Sequence, residues 1–173
     1  VVSQYALEYM DWKHILPKLA WRMKPGARMQ LLVHHKRSGI MESAKLYLEQ
    51  LRQIEKAGLM EKALSFFESP PPVEKFSKDP RSAALVSAFV PMGDLTKKRV
   101  EEMQKELRHV YSVKLLKEIV TLIVDLTKIY EKGEWGPQYL DVLKRAIRNG
   151  KRIKWLLEER LRVAWDDEKL EKF

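Results

Sequence analysis

Apolar positions change period twice along the first thirty-five residues. Val1-Val2-Ser3-Gln4-Tyr5-Ala6-Leu7-Glu8-Tyr9 reads as a short strand, Ile15, Leu19 and Met23 recur at helical spacing, and Met29-Gln30-Leu31-Leu32-Val33-His34-His35 is apolar without alternation until its last two residues. The pattern predicts a strand, a helix and a second strand. Parallel neighbours need a long connection that packs back on the sheet, so the two strands are expected to form a right-handed parallel crossover. Asp11 suits the helix start, Pro17 predicts a kink or a start near itself, and Gly26 suits the left-handed residue after the helix end. Leu31, Leu32 and Val33 predict a central strand covered on both faces.

Beyond residue 40 the period is helical almost throughout. Glu42 to Glu68 carries Leu48, Leu51 and Ile54, then Leu59, Ala63, Phe66 and Phe67, with Gly58 as the expected break. Ser69-Pro70-Pro71-Pro72 ends that tract, and residues 69–94 are expected to be a linker with at most a short helix over Ser82 to Phe89. Asp94 is the expected cap of a long helical surface through Val100, Met103, Leu107, Val110 and Tyr111 to Leu115, Ile119, Leu122, Leu126 and Ile129. Gly133 to Pro137 predicts a turn, and Ala146, Gly150, Ile153, Leu157, Leu161 and Ala164 predict the buried stripe of a last helix. Trp165 to Phe173 has the form of an acidic helix start. Because the chain opens inside a strand pattern and stops as a helix begins, it is expected to be an internal piece of a longer protein.

Ser3-Gln4-Tyr5-Ala6-Leu7-Glu8-Tyr9, a helix, Lys24-Pro25-Gly26 and a strand ending in His34-His35 together resemble the fourth and fifth strand region of bacterial-type class I S-adenosylmethionine-dependent methyltransferases. The resemblance covers about the first forty residues. It implies an α/β fold class: a partial Rossmann-like methyltransferase sheet with two parallel strands present, followed by a large all-helical insertion. The implied domains are a partial core over 1–40, a helical insertion over 41–165 and the start of a further helix over 166–173. Such an insertion is expected to act as a lid or a docking surface, the alternative being that the helices merely cover the sheet or mediate dimerisation. Ala27 stands where the family pattern has a second glycine, and the seven glycines never make a Gly-x-Gly spacing. Residues 1–173 alone are therefore expected to lack the main cofactor loop and to be inactive.

The resemblance places Ser3, Gln4 and Tyr5 near the methionine part of S-adenosylmethionine, with the Tyr5 ring able to attract the sulfonium. His34 and His35 end the second strand, where reacting groups collect, and one of them is a candidate general base. The alternative is that one histidine packs inward and the other bonds to the turn. Glu8 and Tyr9 are weaker candidates, with Glu8 expected to fix the helix entry. The methyl acceptor is not legible.

Composition and charge add a competing reading. The chain has no cysteine, so no disulfide framework or thiolate metal site is available, and its four histidines do not form a zinc ligand set. The most apolar stretch, Leu115 to Tyr130, is broken by Lys117, Glu118, Asp125 and Lys128. It predicts a buried helix in a cytoplasmic protein and not a membrane span. The net charge is +9, and Leu95 to Trp165 holds 17 Lys and Arg against 10 Asp and Glu. Lys144, Arg145, Arg148, Lys151, Arg152 and Lys154 form an acid-free run with Trp155 beside it. The run is expected to be a solvated helix face with Trp155 in the core. The alternative function is a non-enzymatic, mostly helical interaction module that binds nucleic acid or an acidic partner.

Overall fold

The structure is a computed structural model that describes residues 2–4, 6–106 and 114–171, the side chains of 102–106 excepted. Leu107, Val110 and Tyr111 of the expected helical surface lie outside the described residues, as do Tyr5 and His109. The element order is β1 (Val2–Gln4), a 3-10 turn (Leu7–Tyr9), α1 (Trp12–Arg22), β2 (Gln30–Leu32), α2 (Gly39–Ala57) and α3 (Leu59–Glu68). A second 3-10 stretch (Val73–Lys78) then leads to α4 (Pro80–Glu106), α5 (Lys114–Glu131), α6 (Pro137–Val163) and α7 (Asp167–Glu171).

The chain divides into two units, one of residues 1–45 with 156–173 and one of residues 46–155. In the first, β1 and β2 pair in parallel with Val2 opposite Gln30, Ser3 opposite Leu31 and Gln4 opposite Leu32. The helix between them holds Pro17 within its length and ends in a turn where Gly26 takes φ 79°. The expected parallel pairing with a helix between the strands is thus present, but the expected α/β class is not. Of the described residues 77% are helical and only two short strands occur among them, so the chain is mostly helical and not a Rossmann-like α/β fold. Each strand is three residues long, and a sheet that small cannot bury the surface that defines such a fold. Neither is β2 covered on both faces, since Leu32 is 47% exposed.

In the second unit α2 stops at Ala57, where Gly58 adopts φ 62° and lets α3 start in a new direction. Lys62 Nζ donates to the Ala57 carbonyl at 3.0 Å, satisfying one carbonyl at the helix end. Phe66 and Phe67 are fully buried and organise an aromatic core. Phe66 meets Tyr130 edge-on with centroids 5.3 Å apart, and Phe67 stacks on Trp135 at 4.6 Å. The Tyr130 hydroxyl donates to the Pro71 carbonyl at 2.8 Å, which ties the proline run to α5. Burial holds the Tyr130 hydroxyl above its ordinary pKa, and Glu74 adds to the shift. Buried Gln50 accepts from the Leu116 backbone N–H at 3.3 Å, which ties α2 to α5 within this unit.

The expected linker over residues 69–94 is instead the 3-10 stretch and most of α4, and Asp94 lies in the interior of that helix. Two features explain it. The Asp79 carboxylate accepts from the Arg81 backbone N–H at 2.8 Å, and Pro80 occupies the first helical position, where a missing amide costs nothing. Leu85, Ala88 and Met92 then recur at helical spacing and are buried in the core that α3 also lines. Pro91 sits inside the helix on its exposed side. Arg81 closes the other side of the turn by donating to the Ser69 carbonyl at 2.9 Å.

Candidate functional site

The segments that leave β1 and β2 at their carboxyl ends are joined by one buried contact. Glu8, in the 3-10 turn after β1, is 4% exposed, and His34, two residues beyond β2, is 8% exposed. Glu8 Oε1 lies 2.6 Å from His34 Nδ1 and also accepts from the His34 backbone N–H at 3.2 Å. A carboxylate that holds Nδ1–H leaves the lone pair of a neutral imidazole on Nε2. The second oxygen of Glu8, Oε2, is buried with no hydrogen-bond partner among the described residues. An unpaired buried carboxylate oxygen is costly, and such atoms are found where a ligand or proton is to be received. Tyr9 stands edge-on to the His34 ring at 6.4 Å.

His35 behaves differently. Its Nδ1 accepts from the Arg37 backbone N–H at 3.2 Å and its Nε2 faces Asp167 Oδ1 at 3.1 Å, so both ring nitrogens serve a local clasp. Around it the Trp165 N–H donates to the His34 carbonyl at 2.7 Å and the Lys36 N–H to the Trp165 carbonyl at 2.8 Å, a parallel bridge at the end of β2. Lys36 Nζ meets Asp166 Oδ2 at 2.7 Å, and Arg37 pairs with Asp167. The Lys36 ammonium, with the Lys169 N–H, pulls the Asp166 carboxyl down to about 2. Arg37 and His35 hold Asp167 below its ordinary value as well. One histidine therefore packs inward against a carboxylate, while the other fixes the turn.

Ser3 and Gln4 lie in the last two pairs of the parallel ladder, Ser3 half-buried and Gln4 exposed. Tyr5 lies outside the described residues, so its expected place by the sulfonium is not described. These residues fit S-adenosylmethionine only in part. The polar strand end and the unpaired Glu8 oxygen suit a donor-bearing ligand, but the three glycines with positive φ, Gly26, Gly58 and Gly133, all stand at helix ends and none follows a strand. No group of three or more His, Asp or Glu that could hold a metal occurs among the described residues.

Sequence reasoning underrated Glu8. The signal was a lone acid between Leu7 and Tyr9 at a strand end, but its partner is 26 residues away. It also misjudged Trp155, which is 60% exposed instead of lying in the core, while Ile153 of the expected buried stripe is exposed too. Within the basic run, Lys144 pairs with Glu68 at 3.3 Å and Lys154 with Glu55 at 2.6 Å, whereas Arg148, Lys151 and Arg152 have no partner among the described residues. Among the described residues no helix is long and apolar enough to cross a membrane. In comparison with known proteins, the chain matches no family model, no curated protein and no solved structure.

Proposed function

We propose that this chain contributes to an S-adenosylmethionine-dependent methyltransferase, with Glu8 and His34 as its proton-handling pair. The observation that carries the reading is the buried Glu8–His34 contact, a carboxylate on a ring nitrogen in the segments that follow two paired parallel strands. It adds to the resemblance of Ser3 to Tyr9, Lys24 to Gly26 and His34-His35 to that enzyme family. The cofactor supplies an electrophilic methyl group, and the work left to the protein is to align the acceptor and remove its proton. Glu8 holds the His34 ring through Nδ1, and the imidazole is the group assigned to take the proton. An acceptor that must lose a proton, such as a hydroxyl or a ring N–H, fits this pair better than a thiolate, which needs no base. Ser3 and Gln4 are the polar groups that the adjoining strand offers.

The test uses methyl-labelled S-adenosylmethionine and the natural polypeptide that carries this sequence, with phenols, imidazoles, RNA and protein as acceptors. Label should pass to one of these classes, and His34→Ala should lower kcat more than it raises KM. A natural polypeptide that binds no S-adenosylmethionine would overturn the reading.

A further inference from the structure

The second unit carries a surface that the methyl-transfer reading does not use. Its helix α6 presents Arg145, Arg148, Arg152 and Trp155 at positions i, i+3, i+7 and i+10, which fall on one side of a helix, and all four are exposed. Lys151 is exposed at the margin of that side. The acids that neutralise this run act on its two ends alone, Glu68 on Lys144 and Glu55 on Lys154. Arg145 turns back to its own helix, its Nε donating to the Asp141 carbonyl at 3.4 Å. That leaves Arg148, Lys151 and Arg152 unpaired among the described residues, beside an indole that is 60% open to water. Along α6 the nearest acids on this side are Asp141, one turn before Arg145, and Glu159, one turn after Trp155 and paired with Arg162, and no acid lies between Asp141 and Glu158.

We propose that this face of α6 binds single-stranded nucleic acid, with Arg148, Lys151 and Arg152 on phosphates and Trp155 stacked on a base. Charge selects a polyanion, and the aromatic group selects among polyanions. A duplex meets a basic helix through phosphates and keeps its bases stacked on each other, which would leave Trp155 in water. An unpaired strand offers successive phosphates together with free base faces, the combination that alternating cations and aromatic rings recognise. Guanidinium groups suit the role because they pair with phosphate oxygens through two N–H groups. The inference is independent of methyl transfer, since no residue of the Glu8–His34 site takes part.

The experiment is fluorescence anisotropy of a labelled oligouridine of about 16 nucleotides titrated with the whole 173-residue chain. Three phosphate contacts on a single strand predict that affinity falls about tenfold or more between about 50 and 200 mM salt. Arg148→Glu with Lys151→Glu and Arg152→Glu should abolish binding, and Trp155→Ala should weaken it about tenfold while leaving the salt dependence unchanged. All four positions are exposed, so thermal melts should match wild type and separate lost binding from lost folding. Absence of binding at low salt, wild-type affinity in the triple variant, or no effect of Trp155→Ala would overturn the proposal. So would tighter binding to a duplex of equal length or to vesicles rich in phosphatidylserine.

Discussion

Glu8 Oε1 and His34 Nδ1 stand 2.6 Å apart in a contact that excludes solvent from both side chains. The contact joins the two chain segments that emerge from neighbouring parallel strands, so it fixes the local geometry and the tautomer of one imidazole together. Glu8 also accepts the His34 backbone N–H, which makes the carboxylate a bridge between main chain and ring.

Replacing Glu8 tests that double role. Glu8→Ala strands two donors in a buried place, at a cost of about 1–3 kcal/mol. Glu8→Gln keeps the shape and one acceptor, and should cost less. Amide hydrogen exchange at His34 reads the backbone bond directly, and nitrogen shifts of the His34 ring read the tautomer. Protection should drop in the alanine variant, with the ring proton redistributing between the two nitrogens; an unchanged ring spectrum would remove Glu8 as the orienting group.

Strong acid should open the clasp that Lys36 and Arg37 make with Asp166 and Asp167. The Asp166 carboxyl is lowered from 3.8 to about 2 by Lys36 and the Lys169 N–H. A lowered carboxyl contributes stability that is fully present above pH 3.8 and is lost as pH falls through about 2. Asp167, lowered chiefly by Arg37, acts in the same direction. The Lys169 amide, which donates to Asp166 Oδ1 at 2.9 Å, should lose its protection between these two values, and Asp166→Asn should weaken the pH dependence while keeping an acceptor, with the Asp167 share remaining. A flat exchange rate across that window would show that the clasp does not depend on charge.

What was legible in the sequence depended on distance along the chain. The Gly58 break, the Gly26 turn and the parallel pairing are local or nearly local, and the residue types announce them. The helix across residues 80–106 was hidden because three prolines precede it and Pro91 interrupts it, although Leu85, Ala88 and Met92 already had helical spacing. Proline at the first position of a helix costs little, because its missing N–H would have no helical partner there. The fold class was misjudged because two strands were weighed by their pattern and not by their length. His34 and His35 stood out as candidates, but which one packs inward is decided by Glu8 and by Asp167, 26 and 132 residues away.

Phe67 offers a test of the aromatic core in the second unit. It is fully buried, edge-on to Phe66 at 4.9 Å and stacked on Trp135 at 4.6 Å. Phe67→Ala should destabilise by about 3–5 kcal/mol, the transfer loss plus the cavity it leaves. Phe67→Leu should recover part of that. Urea unfolding followed by far-ultraviolet circular dichroism measures both, and a loss below about 1 kcal/mol would mean that the site collapses without cost.

Gly150 should respond in the opposite direction. It lies inside α6, away from either end, where glycine costs about 0.5–1 kcal/mol relative to alanine because its backbone has more freedom to lose. A methyl group built there meets only Leu51 Cδ2, at 4.0 Å, which is ordinary van der Waals contact. Gly150→Ala should therefore stabilise by about that amount and raise the midpoint of thermal unfolding by a few degrees. Bulkier residues should reverse the gain, because Leu51 and Ile54 line the shallow cavity beside Gly150 and closing it would force them to repack. Destabilisation by alanine itself would show that α2 and α6 approach more closely at this point than 4.0 Å, and that glycine is required there for packing.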